Sequence, residues 1–184
     1  FIIKPTAIAA IPSMKDPKAI KQFSEMLPKV SIETQILLIG ALADCDPAIV
    51  LPTLIEALKN PNPKIQITAV KALGRAGDVH SVMHLCRMMG ESKDAALKKE
   101  IVNSLGRMRG ERINEEILAS YKKADSEARA SLIEVLVSRR IMESIDSLFL
   151  DAKGEPGRVR EAALKALGNM AGAARLPDIL ALVV

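Results

Sequence analysis

The sequence predicts an all-α fold: a single α-solenoid over residues 1–184, with about five to six antiparallel helix pairs stacked into a right-handed superhelix. Three observations lead there. A ten-residue pattern recurs at steps of about 31–34 residues, the spacing of stacked helical repeats. Within each copy the apolar positions follow the period of an amphipathic helix. Nearly half of the chain is apolar, yet it has three Phe, one Tyr and no Trp. Ala, Leu, Ile and Val therefore supply the core, a composition suited to closely packed helices.

The elements follow in chain order. Thr6-Ala7-Ile8-Ala9-Ala10-Ile11 mirrors Thr68–Leu73 and opens the series, with a first step nearer about 28 residues. Asp16-Pro17 and Asp46-Pro47 each read as an N-cap followed by proline at the first helical position, where its missing N–H is no loss. Ile36-Leu37-Leu38-Ile39-Gly40 carries the pattern with its register left open. A first helix spans 47–59, and Asn60-Pro61-Asn62-Pro63 breaks the chain before its partner. In that partner Ile65, Ala69, Ala72, Leu73 and Ala76 lie on one face. Gly77 then reads as a C-terminal glycine leading into Asp78, the next N-cap. Further first helices are expected over 79–89, 113–123 and 144–152. Second helices carry the copies Leu97–Gly106, Ala128–Val137 and Val159–Gly168.

About twelve helices of about ten to fifteen residues result, and none of these hairpins can bury its apolar face alone. Gly74, Gly106 and Gly168 occupy one repeat position and are expected to let neighbouring helices approach closely; Val137 stands there in the fourth copy.

These copies resemble the bacterial HEAT-like repeats of the phycobilin-lyase type, of form V-R-x-x-A-x-x-A-L-G-x-x-G. Val159–Gly172 fits best, with one extra residue before its final glycine. Leu51-Pro52-x-Leu54 and Leu176-Pro177-x-Ile179 match the proline-bearing first helix. The run Ile36–Asp44, Ser104-Leu105-Gly106-Arg107, Ile117-Leu118, Asp125–Arg129 and Gly172–Leu180 is also similar to HEAT segments of large exported bacterial proteins. Those proteins often carry a concanavalin-like 3-keto-disaccharide hydrolase domain. The resemblance implies a periplasmic or cell-envelope setting, with a cytoplasmic one as the alternative, and catalytic residues outside this chain. Phe1-Ile2-Ile3 begins inside an expected second helix and Leu180–Val184 ends in an apolar one, so a longer chain or a partner is expected to cover both ends.

A net charge of +4, from 26 basic and 22 interspersed acidic residues, argues only weakly for nucleic acid. The apolar run Ile36–Ala43 is far too short to span a membrane, and no signal peptide is recognisable. Cys86 sits among apolar residues of a predicted helix and reads as core. Cys45 lies in Asp44-Cys45-Asp46-Pro47, where flanking carboxylates disfavour a thiolate. His80 and His84 share a helix face with no further ligands and no HExxH, and His84 aligns with Thr53 at an expected exposed position. No metal or cofactor site is assigned.

Two polar patterns remain. Gln66, Lys98, Arg129 and Arg160 recur in register, with Asn62, Asp94 and Asp125 four residues before the first three. Capping plus an inter-repeat ladder is the preferred reading, over a binding stripe. The solvent face of the second helices, expected to line the concave side, is the candidate binding surface. Helical phase places Lys64, Lys71 and Arg75 there, followed by Lys99, Glu100, Asn103 and Arg107. Glu127, Glu134 and Ser138 come next, and Arg158, Glu161, Lys165 and Asn169 last. Charge alternates along this row, without the unbroken basic stripe or stacking aromatics that nucleic acid would want.

The expected function is a non-catalytic interaction or spacer module, its partner a protein or neighbouring domains of the same chain. A nucleic-acid-binding module is the alternative, followed by a lyase or a DNA glycosylase of HEAT-like fold. A glycosylase wants aromatic rings around a flipped base, whereas Tyr121 occupies an apolar first-helix position. Were catalytic groups to converge, Glu100, Glu134 and Lys165 are the place to look.

Overall fold

The computed structural model describes residues 5–14, 16–172 and 175–182. Among these residues twelve α-helices form and no strand. They are α1 (Pro5–Ala9), α2 (Pro17–Met26), α3 (Ile32–Leu42), α4 (Pro47–Ala57), α5 (Pro63–Ala76) and α6 (Val79–Glu91). The series continues with α7 (Ala95–Arg107), α8 (Ile113–Lys123), α9 (Ser126–Ser138), α10 (Ile145–Ala152), α11 (Arg158–Met170) and α12 (Leu176–Leu180). Single 3₁₀ turns lie at Ile11–Ser13, Leu27–Lys29 and Met142–Ser144. The expectations for residues 1–3 and for the end at 183–184 fall outside the described residues.

Seven of the helices, α2 to α7 and α9, start at a residue whose side chain accepts from a free backbone N–H. Asp16, Asp46 and Asn62 accept from the backbone N–H two residues on, with Pro17, Pro47 and Pro63 opening the helices. Asp94 and Asp125 cap α7 and α9. Asp78 and Ser81 form a reciprocal capping box at α6. Three helices are shorter than expected: α1 and α12 have five residues each and α10 has eight, its first turn being the 3₁₀ segment. Turns into the following pairs use left-handed backbone at Arg112 (φ 60°), Arg140 (φ 51°) and Gly110 (φ 138°).

Five complete pairs result: α2–α3, α4–α5, α6–α7, α8–α9 and α10–α11. The second helices α3, α5, α7, α9 and α11 pack each against the next, while first helices pack closely only at α2–α4 and α6–α8. The second helices therefore form the more closely packed row, the arrangement expected of the inner side of a solenoid. One continuous core runs from Ile8 to Leu167. It includes Ile65, Ala69, Ala72, Leu73 and Ala76, the face read from the sequence. No described helix is long and apolar enough to cross a membrane.

The recurrent glycines do not all do the same work. A Cβ on Gly74 would lie 2.9 Å from Ser104 Cβ, so α5 and α7 need that glycine to meet. At Gly106 the nearest atom would be the rotatable Ser138 hydroxyl, at 3.2 Å. Gly168 has nothing within 4 Å, contrary to the expectation of close packing, because no described helix lies across that part of α11. Gly77 ends α5 without a left-handed turn (φ −67°); a Cβ there would be 2.2 Å from Leu73 O, so space and not backbone conformation excludes other residues.

Candidate functional site

All fourteen residues expected to form the binding face lie on second helices. Lys64, Lys71 and Arg75 are on α5, Lys99, Glu100, Asn103 and Arg107 on α7, Glu127, Glu134 and Ser138 on α9, and Arg158, Glu161, Lys165 and Asn169 on α11. Thirteen are exposed and Glu100 is half-buried. Their phase follows from burial of the opposite side: Ile65, Ile101, Leu132 and Leu167 are each at most 1% exposed.

The polar ladder is structural. Gln66 Nε2 donates to Leu58 O at the end of α4, 3.2 Å away. Lys98 Nζ lies 2.8 Å from Glu127 Oε1, and Arg158 Nη1 reaches both oxygens of the same carboxylate at 2.9 Å. Glu127 thus ties together the starts of α7, α9 and α11. Lys98 first and Arg158 second hold its carboxyl below the usual range. Arg129 lies 3.2 Å from Asp151 Oδ2 and over the Tyr121 ring, and Arg160 Nη2 donates to Leu182 O.

One residue of this framework had no sequence signal. Arg139, just past α9, donates from Nη1 to the carbonyls of Leu105, Gly106 and Met108 at 2.8, 3.2 and 2.7 Å. Its Nε donates to Asn114 Oδ1 at 2.7 Å. The guanidinium therefore caps the C-terminus of α7, where free carbonyls and the helix dipole favour a cation.

The residues singled out for chemistry are dispersed. Glu134 and Lys165 share a groove of about 550 Å³ between α9 and α11, floored by Ala130, Ile133 and Val137. Glu100 is not among its lining; it pairs with Arg107 (2.8 Å) within α7. The two histidines remain on α6, with His80 Nδ1 3.1 Å from Asp78 Oδ2. His84 is half-buried and not exposed as expected, since it lines a groove with Leu58, Gln66 and Leu97. No group of three metal-ligating side chains occurs among the described residues.

Burial pushes the Cys86 thiol up to about 11, as its place in the core suggested. Cys45 is raised too, by burial first and by the Asp44 carboxylate second, so the flanking carboxylate acts as expected but is the smaller cause. Tyr121, fully buried, donates to Asp151 Oδ2 at 2.5 Å. Burial and then that bond raise its phenol well above the usual value.

The decisive comparison is with repeat families. Residues 20–106 match the family model of HEAT repeats. This stretch is similar to HEAT repeats. The HEAT match begins inside α2 and ends inside α7, spanning the pairs α2–α3, α4–α5 and α6–α7. Beyond it, α8–α9 and α10–α11 continue the same stacking of helix pairs, with the second helices in one unbroken row. No curated protein matches the chain.

Proposed function

We propose that the chain is a non-catalytic interaction module that binds a protein partner, or neighbouring domains of its own polypeptide, on the second-helix face. One observation carries this reading. The second helices present a continuous row of exposed polar side chains over a fully packed core, and the framework bonds of Lys98, Glu127, Arg129 and Arg139 hold that row in register. HEAT repeats commonly serve as scaffolds for protein interaction. A rigid row of spaced side chains suits extended recognition, in which ordering costs little on binding.

The nucleic-acid alternative is the weaker reading, because Glu127, Glu134 and Glu161 interrupt the basic residues along the row. A lyase or glycosylase role is weaker still, because Glu134 and Lys165 share their groove without Glu100, which pairs with Arg107 instead. Within this reading the module belongs to the cell envelope, a setting supported only by the resemblance of its sequence to segments of exported bacterial proteins.

The experiment is site-specific photocrosslinking in the cells that make the protein. A photoreactive residue at Asn103 or Asn169 on the second-helix row should trap discrete proteins, whereas one at Met83 or Lys122 on first helices should not. Crosslinks from the first-helix positions alone would remove the assignment of the face, and crosslinks from neither set would remove the interaction reading.

A further inference from the structure

The second-helix face is not chemically uniform. Where α3, α5 and α7 meet, Gly40, Thr68, Lys71, Ala72, Arg75 and Arg107 line a groove of about 340 Å³. Lys71 and Arg75 stand one turn apart on α5. Arg107 reaches the same place from α7 because Gly74 has no side chain; a Cβ there would lie 2.9 Å from Arg107 Nε.

The two guanidiniums are already held in position. Arg75 Nη2 donates to Gly40 O at 2.8 Å, with its Nε 3.5 Å from Asp44 Oδ1. Arg107 Nη2 donates to Glu100 Oε1 at 2.8 Å and to Ser104 Oγ at 3.0 Å. Each remains about half exposed, at 50% and 47%, with Nη1 unused. Lys71 is exposed and has no ion-pair partner among the described residues. Three cations thus face two carboxylates, both of them engaged. Beside them α3 offers Leu37, 49% exposed, and Gly40, over which a Cβ would meet nothing within 4 Å. The result is an apolar notch next to a preorganised basic triad.

We infer that this groove receives an acidic segment of a protein partner, its carboxylates on Lys71, Arg75 and Arg107 and an apolar side chain against Leu37 and Gly40. The inference rests on the second-helix face being the interaction surface and adds the chemistry of what binds there. A guanidinium fixed through one nitrogen keeps donors for a carboxylate without losing further side-chain freedom, the condition under which such pairs bind with specificity. A peptide carboxylate fits better than a nucleic-acid backbone. The triad is short, Glu134 and Glu161 reverse the sign along the row, and none of the groove-lining residues is aromatic.

Fluorescence anisotropy of the full chain tests it with three labelled probes: an amphipathic helical peptide of Glu and Leu, its Lys-for-Glu counterpart, and duplex DNA. The Glu peptide should bind in a salt-sensitive manner, and more tightly than the other two. Lys71→Glu should weaken it about tenfold and Arg107→Gln several-fold, while Lys122→Glu on α8 leaves it unchanged. Lys71 is exposed and unpaired, so its variant should keep the parental melting curve, which separates lost binding from lost folding. Absence of Glu-peptide binding, equal or tighter binding of the Lys peptide or DNA, or indifference to Lys71→Glu overturns the inference. If photocrosslinks from Asn103 and Asn169 persist in that case, only the acidic partner is lost; if they are absent too, the interaction reading falls with it.

Discussion

Replacing Arg139 by Ala removes one side chain that joins two repeats. Its Nη1 serves the carbonyls of Leu105, Gly106 and Met108, and its Nε serves Asn114, so α7, α8 and α9 meet at one guanidinium. Three of these contacts, at 2.7–2.8 Å, have the length of charge-assisted bonds. At about 1.5–3 kcal/mol each they would sum to more than 4 kcal/mol if independent and fully buried. They are neither: two share a nitrogen, and Arg139 is only half-buried, so water replaces part of what is lost. The expected cost is about 2–3 kcal/mol. Urea denaturation followed by circular dichroism measures it, and for a chain of this size the same loss should lower Tm by about 4–12 °C. Hydrogen exchange adds the location, with faster exchange expected at the end of α7 and the start of α8. Arg139→Lys should recover only part of the loss, since a point charge cannot reproduce the fork. A cost below about 0.5 kcal/mol for Arg139→Ala would refute the capping role.

Other expectations follow from the same structure. Leu105→Asp places an unpaired charge at a fully buried position of α7 and should cost at least about 3 kcal/mol; an unchanged melting curve would show the helical phase to be wrong. Gly74→Ala should destabilise by about 1–2 kcal/mol because α5 and α7 must separate, whereas Gly168→Ala, with open space above it, should stabilise by up to about 1 kcal/mol through helix propensity. Tyr121 is the only tyrosine, so tyrosinate absorbance reports it alone. Its folded-state pKa is raised above the unfolded value, so its stabilising contribution is full below the unfolded pKa of about 10 and lost as pH rises toward the folded one. Ionisation near pH 10 in folded protein would contradict this burial. Cys45 and Cys86, both buried with raised pKa values, should react with a thiol reagent at neutral pH only after denaturation.

Much of the fold was legible because its determinants are local. The N-caps Asp16, Asp46, Asn62, Asp78, Asp94 and Asp125 set helix starts within a turn or less, and apolar periodicity set the buried face. The position of the candidate binding row follows from that same phase. What stayed illegible joins one repeat to the next. Arg139 bonds to main-chain carbonyls roughly one repeat away, and a carbonyl has no residue identity to read. Tyr121 and Asp151 are likewise about one repeat apart, so searching for polar pairs at the repeat spacing could have found them. Gly168 shares its motif with Gly74, but the motif does not say whether a helix lies opposite. Charge is also unevenly spread in space: Lys71 and Arg75 of α5 and Arg107 of α7 gather at one groove, while Glu127, Glu134 and Glu161 belong to α9 and α11.

Binding through the second helices is tested most directly by a hydrogen-exchange footprint of the chain alone and with a partner identified by crosslinking. Exchange should slow in α3, α5 and α7 on binding, centred on Leu37–Gly40, Lys71–Arg75 and Asn103–Arg107, with α4, α6 and α8 unchanged. Protection confined to α4, α6 and α8 would contradict it and place the binding face on the first helices.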